Sequence, residues 1–500
     1  MGFEKTAQRL RGCFYLLFAV LIGNLLVQTV FFDPWFGFKP LPSLLAAAVW
    51  LTAFAGLAVL LRRAEGWLCV HRIAAVALAL AVTAATQLIF YGFAACWPVR
   101  DLQYIHDAAY EYTIAGQITG ISQDYLYKFP NNLPVVALLQ LVWRVVYRVM
   151  GAGFEGFSLL GVLLNAGAIL LAYLFTFLAA EQLLGTRRAF WCWGVLYLCL
   201  PLQFLVTYYY TDTLTLCFAP MAVYAWLRMQ KPRRFGVQAA MAAGFGLCIG
   251  AGISLKVTIV IVLVAIAIDG VLRRAWKPLA LLLACTALGV CLCNAAVERF
   301  AYGGRVLDQT IAADEATPYT NWIAMGMMGD GSYTPDTNLD VWQYEGKQAR
   351  QQRSLEILRQ RYEAFGGFGN YLLYLNQKGI RSFGNGDLET PNTVGLHLRK
   401  ELGLAEALVY ENGKWHTAYE YICQGWHLAV FGLMLAAVVQ ALRGKAVQGF
   451  VPLLATFGLY LFLLIWESSQ RYLTNFLCIF VLGAAAGMAA VAEERHGRRI

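Results

Sequence analysis

Residues 72–94 read RIAAVALALAVTAATQLIFYGFA, and the stretch that follows, 96–132, reads CWPVRDLQYIHDAAYEYTIAGQITGISQDYLYKFPNN. The first is an uncharged apolar run, after its leading arginine, of the length a bilayer requires, about 20 residues. The second is a polar loop that opens on a carboxylate, Asp101, and closes on a lysine, Lys128, before Pro130. Ionic side chains at a membrane face are costly to keep and so point to binding or chemistry. Working outward, apolar runs recur along the chain at 13–32, 43–61, 157–180, 189–208, 211–229, 237–254, 257–272, 278–298, 426–443, 447–466 and 472–491. With 72–94 they predict an all-α polytopic membrane protein of about 12 transmembrane helices. The composition agrees: 59% of residues are hydrophobic and only 14% charged, which a soluble chain of 500 residues has no need of.

Basic residues set the orientation. Arg62 and Arg63, Arg187 and Arg188, Lys231 to Arg234, Arg273 and Arg274, Arg443 and Lys445, and the tail from Arg495 to Arg499 fall between spans. Twelve crossings put all of them inside, as the positive-inside rule asks, with both termini cytoplasmic. The net charge of +9 is therefore read as topology, and a nucleic-acid partner is excluded because no basic face forms. No cleavable signal peptide is expected, since the first apolar run is too long. The segment 133–150, LPVVALLQLVWRVVYRVM, carries Arg144 and Arg148. A full crossing there would invert every later loop, so it is read as an amphipathic helix in the outer interface, with a thirteenth span as the alternative.

The expected organisation is N-terminal spans (1–95), a first outward loop with the interfacial helix (96–156), central spans (157–298), a mixed outward loop domain (299–425), and C-terminal spans with a cytoplasmic tail (426–500). Within 348–368, QARQQRSLEILRQRYEAFGGF, residues Leu355, Leu358, Tyr362 and Phe365 share one helical stripe. Most of the twelve cysteines lie in spans as small hydrophobes, and only Cys96 and Cys423 approach the outer loops. The six histidines form no ligand-spaced pair, so no metal site is indicated; no cofactor is required, although a divalent metal would be compatible.

Candidate site residues are the ionic and polar groups that this topology gathers on the outer face. Asp101 opens an amphipathic helix ending at Gly116; partial desolvation would raise its basicity, and Asp107 is its rival. Either carboxylate could instead complement a helix dipole. Lys128 is a compact phosphate ligand or a headgroup anchor, with Asn131 and Asn132 as neutral donors. Asp212, in YYYTDTLTL (208–216), is a substrate-binding carboxylate or a helix cap. Lys256 interrupts IGAGISLKVTIVIVLV (249–264), where Gly250 and Gly252 permit close packing. In WESSQRYLTNF (466–476), Glu467, Arg471 and Tyr472 sit at the mouth of the last hairpin. Arg471 either pairs with Glu467 or forks a phosphate.

These residues resemble the GT-C superfamily of polyprenyl-phosphate-sugar-dependent glycosyltransferases, which includes protein O-mannosyltransferases and aminoarabinose transferases. The resemblance lies in Asp101 at the start of the first outer loop, followed by Ala108 and Gly116, and in Tyr127 to Pro130. It extends to Asp212, Lys256 and the late Glu467-x-x-x-Arg471-Tyr472. YKFPNN and PYTNWIAMGMMGDGSY (318–333) are similar to multispan members of Gram-positive type. The resemblance implies an inverting transfer of sugar from a polyprenyl-phosphate carrier to a glycan, lipid or cell-wall polymer hydroxyl, in the plasma membrane with the site facing outward. Asp101 or Asp107 would be the general base, and Lys128, Lys256 and Arg471 would hold the departing phosphate. Membrane lipids are the other expected partners. The rival readings are a transporter or flippase for a lipid-linked or anionic substrate, and a scaffold acting through 299–425.

Overall fold

The structure, a computed structural model, describes residues 2–151, 153–303, 306–399 and 403–497. The basic tail at Arg498 and Arg499 lies outside the described residues. The expected all-α polytopic class is what is found. Among the described residues nine helices are long and apolar enough to cross a membrane, or ten if one bent pair counts as a span. Two more, at 257–272 and 450–465, are apolar but shorter. The helices that matter below are α1 (Gly2–Phe31), α2 (Pro40–Arg63), α3 (Arg72–Ala94), α4 (Asp101–Ala115), α5 (Gly120–Lys128), α6 (Leu133–Met150) and α7 (Phe154–Leu184). They continue with α8 (Thr186–Tyr197), α9 (Phe218–Met229), α10 (Phe235–Leu255), α11 (Val260–Leu272) and α12 (Trp276–Glu298). After a loop domain holding α13 (Lys347–Ala364) and α14 (Phe368–Phe383) come α15 (His416–Leu442), α16 (Phe450–Ile465) and α17 (Leu477–Gly497).

Ion pairs identify the two ends of the bundle. Arg72, opening α3, pairs with Glu181 near the end of α7 at 3.1 Å. Arg187 pairs with Glu65 at 2.5 Å, and Lys231 donates to Gln182. Arg11 and Arg273 share Asp269 at 3.2 and 2.7 Å, and the Arg11 guanidinium lies over Phe450 just beyond the 443–445 turn. The other end of α7 is tied to the first loop, where Tyr209 bonds both Ser158 and His106. The basic clusters thus gather at one end and the 96–132 loop at the other, as charge-directed topology requires.

The same contacts place α6. Asn132, just before it, bonds Tyr210, and Phe157, just after it, stacks on Trp143 and meets Tyr147. Its beginning and end therefore both contact residues of the loop end of the bundle, although the helix also meets the length and composition criterion for a span.

Three expectations about helices need correction. The expected span 211–229 is not one helix: residues 211–214 form a single turn, and α9 begins only at Phe218. The expected span 189–208 bends by 70° between α8 and residue 200, where Pro201 lacks an N–H and blocks continuation. Non-helical backbone at such depth survives only when buried and satisfied. Here the Asn165 side-chain amide donates to the Leu205 and Val206 carbonyls at 3.0 and 2.9 Å. In α13 the buried residues are Arg350, Ser354 and Ile357; of the expected stripe Leu358 and Phe365 are half-buried, packing on the Ile357 cluster and on Tyr371 and Tyr374, whereas Leu355 and Tyr362 are exposed. Arg350 and Arg361 win that face because they bond the Glu315 and Ala324 carbonyls. The loop domain, expected to be mixed, is helical; among the described residues one isolated bridge, Cys96 with Leu398, is the only extended pairing. Cys96 and Cys423 are both free and buried.

Packing between α10 and α12 depends on small residues, because lipid supplies no hydrophobic drive for helix association. A Cβ on Gly250 would lie 2.5 Å from the Thr286 carbonyl oxygen and 2.6 Å from the Val290 nitrogen. Gly250→Val is expected to destabilise the detergent-solubilised protein by about 1–3 kcal/mol through overpacking. Gly244→Ala, which meets nothing within 4 Å, serves as the control. Thermal unfolding of the two variants checks this, and equal melting temperatures would refute the close approach.

Candidate active site

Four ionic residues of the loop end, Asp101, Asp212, Lys256 and Arg471, each stand at a helix start, a break or a turn. Asp101 begins α4 directly after Arg100, whose backbone is left-handed at φ 53°. Asp212 occupies the isolated turn 211–214. Lys256 ends α10 in extended backbone, φ −153° and ψ 109°, before a 3₁₀ turn leads into α11. Arg471 lies in the 3₁₀ segment Gln470–Phe476 that precedes α17. Discontinuous helices of this kind free backbone and side chains to converge at membrane depth.

They converge on a single chain of charges. Arg471 Nη2 donates to Asp101 Oδ2 at 3.2 Å, and Arg471 Nε stands 3.4 Å from Asp212 Oδ2. Lys256 Nζ donates to the other oxygen of Asp212. The order is therefore Asp101, Arg471, Asp212, Lys256, with signs alternating. Tyrosines wall it: Arg471 lies over the Tyr210 ring at 4.8 Å, Lys256 over Tyr472 at 5.0 Å, and Arg471 Nη1 reaches the Tyr208 hydroxyl at 3.5 Å. Beyond Asp101, Tyr125 donates to Asp101 Oδ1 at 3.1 Å and accepts from Asn132 at 2.7 Å, while Tyr210 donates to Asn132 at 3.1 Å. Exposure separates the two carboxylates: the Asp101 side chain is 35% exposed and Asp212 only 2%. An incoming hydroxyl can meet Asp101; Asp212 is confined to holding the cations.

Glu467 joins from behind. It accepts the Tyr472 hydroxyl, and it does not pair with Arg471, whose partners are the two aspartates. Burial pushes its carboxyl up to about 7, opposed by the Tyr472 hydrogen bond and the Arg471 charge. The capping account of Asp212 is set aside, because no side-chain cap closes that turn and both carboxylate oxygens face cations.

Other expected residues stand apart. Lys128 pairs with Asp124 at 2.7 Å and lies 4.7 Å over Trp342, so its charge is committed where the first loop meets the loop domain. Asn131 is exposed on the 3₁₀ turn Pro130–Asn132. Asp107 is six residues beyond Asp101, about 120° around the helix. It is half-buried beside Glu111, where burial, then the Glu111 charge, pushes its carboxyl up to about 6. Sequence reasoning missed Tyr125, Tyr208, Tyr210 and the buried Lys378. The run of three tyrosines before Asp212 was a usable signal; Lys378, in an ordinary amphipathic stretch, gave none. Among the described residues no three His, Cys, Asp or Glu side chains gather as a metal site.

A carboxyl raised above its unfolded value favours the folded state at low pH, and that contribution is lost as pH rises through the folded value. For Asp107 the loss falls between about pH 4 and 6. Asp107→Asn should therefore gain stability over the wild type on going from pH 4 to pH 8. Melting curves at the two pH values measure this, and a constant difference would mean that the carboxyl is not held beside Glu111 in a buried setting.

Comparison with known proteins places the chain. The solved structure of ArnT from Cupriavidus metallidurans bound to undecaprenyl phosphate is similar over 87% of this chain and 79% of that one, at 15% identity and a TM-score of 0.36. The apo form of the same protein matches over 85% and 78%, at 15% identity and a TM-score of 0.33. The archaeal oligosaccharyltransferase AglB from Archaeoglobus fulgidus, in complex with an inhibitory peptide and a dolichol-phosphate, matches over 86% of this chain and 52% of that one, at 10% identity and a TM-score of 0.36. No curated protein matches the chain. The family model described as conserved hypothetical integral membrane protein matches residues 13–491, nearly the whole length, and the chain belongs to that family.

Proposed function

We propose that this protein is a membrane glycosyltransferase that moves a sugar from a polyprenyl-phosphate carrier to an acceptor hydroxyl on the outer side of the plasma membrane. The observation that carries the reading is the quartet Asp101–Arg471–Asp212–Lys256, sealed at Asp212 and open at Asp101, placed at the end of the bundle away from the basic clusters. Two cations held by one sealed carboxylate and one accessible carboxylate suit a reaction that makes a phosphate anion and releases a proton.

In this mechanism the acceptor oxygen attacks the anomeric carbon while the bond from that carbon to the phosphate oxygen breaks, with inversion. Asp101 takes the hydroxyl proton, its position set by Tyr125 and Arg471. Arg471 and Lys256 take up the charge of the departing lipid phosphate, and fixed charges in a water-poor site are effective for this because they need no reorganisation. Asp212 keeps both cations in place. Asn132 holds the tyrosines around Asp101, and Tyr472 with Glu467 backs Lys256. Lys128 and Asn131 sit at the rim, where they would meet the carrier or the acceptor, a glycan, lipid or wall polymer. Asp107, on another face of α4, is not the base.

The test is transfer from labelled polyprenyl-phosphate sugars by the full-length protein in nanodiscs. Asp101→Asn is expected to slow transfer by about 10²–10⁴, the usual worth of a general base, with donor Kd nearly unchanged. Lys256→Ala is expected to weaken donor binding about tenfold or more, as loss of a charge-assisted hydrogen bond does. Full transfer by Asp101→Asn, or labelling that puts positions 101 and 256 on opposite faces of the membrane, would sink the reading. In a carrier the Asp101 change would alter substrate movement instead.

A further inference from the structure

Lys378, on α14 in the loop domain, is fully buried at 0% exposure. A lysine there is far costlier than the leucine that would fill the same space, so what it holds is informative. Its Nζ donates to two main-chain carbonyls, Gly326 at 2.6 Å and Leu464 at 3.0 Å. Gly326 starts the GMMGDGS segment (326–332), and Leu464 lies in the last turn of α16, from which Glu467 and Arg471 hang.

Further bonds run along the same seam. Ser468 N donates to the Gly331 carbonyl at 2.6 Å, directly after Glu467. Gln470, directly before Arg471, donates to the Arg381 carbonyl at 2.9 Å. Tyr374 donates to the Gly326 carbonyl at 2.8 Å, and Arg381 pairs with Asp330 at 2.6 Å, closing the segment onto α14. Gly331 is required twice: its φ is +82°, and a Cβ would meet Lys378 Cε and Ser468 Oγ, each at 2.9 Å. Residues 464–470 are thus held by the loop domain on one side, while Arg471 reaches into the membrane bundle on the other.

We infer that Lys378 is a positioning residue: by clamping Gly326 and Leu464 it sets the 464–472 turn so that Arg471 bridges Asp101 and Asp212. It touches neither substrate nor the quartet and acts through Arg471. Docking of the loop domain is then what completes the cationic half of the site. The inference rests on the glycosyl-transfer reading for what Arg471 does, and on geometry alone for how Arg471 is held.

The experiment compares the wild type with Lys378→Met and, from the opposite side of the seam, Gly331→Ala, all full length in nanodiscs. Hydrogen exchange is followed by mass spectrometry alongside transfer kinetics. Both variants should raise exchange in 464–472 and 326–332 about tenfold or more, as expected when a hydrogen bond from a charged group is lost, with 156–184 unchanged. Both should lower kcat by a larger factor than they raise the donor KM, since the charge that Arg471 takes up develops in the transition state. Wild-type exchange across 464–472 in the variants, or a raised KM with kcat retained, would overturn the inference. Should Lys378→Met fail to fold, Gly331→Ala decides. If the wild type transfers no sugar the functional reading falls, and the exchange measurement still decides the positioning role.

Discussion

The Arg471 guanidinium lies between two carboxylates, one from the first loop and one from a broken span, and much of the architecture follows from that placement. Burying an ion pair seldom adds stability, because desolvation offsets the attraction; removing one member is what costs heavily, since its partner is left charged and unpaired. A chain of alternating charges avoids that penalty at every link. Asp212 faces two cations, Arg471 faces two anions, and only the ends, Lys256 and Asp101, depend on one partner from the chain. The proposed chemistry uses both ends, Asp101 as the base and Lys256, together with Arg471, on the departing phosphate.

Bringing such a chain together inside an apolar bundle demands interrupted helices. Regular spans would keep side chains of different helices on separate stripes and leave no backbone free to turn inward. Here the chain is broken at residues 198–199, 208–217, 256 and 466–476. Asn165 takes over carbonyls that a continuous helix would have bonded. The loop domain does the same for the 464–470 turn through Lys378, Gly331 and Arg381. Membrane and loop layers are therefore coupled at a seam beside the charges.

A cost argument found most of the ionic members of the site in the sequence. A lysine within IGAGISLKVTIV, or an arginine just ahead of the last apolar run, is expensive enough to announce itself, and so Asp101, Asp212, Lys256 and Arg471 were named and do meet. Tyrosines carry no such penalty, which is why Tyr125, Tyr208 and Tyr210 went unnoticed although they wall the site. Lys128 does not join the four: it is half-buried and paired with Asp124 four residues earlier, a local partner that a cost argument does not weigh. The stripe on α13 is only half covered because Arg350 and Arg361 hold the centre of the buried face through carbonyl partners, a tertiary gain that periodicity does not register.

Composition and charge placement by themselves determined that the chain is helical and membrane-embedded, and which end of the bundle gathers the basic residues. These depend on the solvent each residue must face, a property of the residue and its near neighbours in the chain. Which carboxylate stays accessible, which cation each one holds, where spans break, and that a lysine more than a hundred residues from Lys256 clamps the turn bearing Arg471 were decided only by the tertiary structure. Those outcomes depend on distances between groups far apart in the chain, and distance enters electrostatics and hydrogen bonding directly.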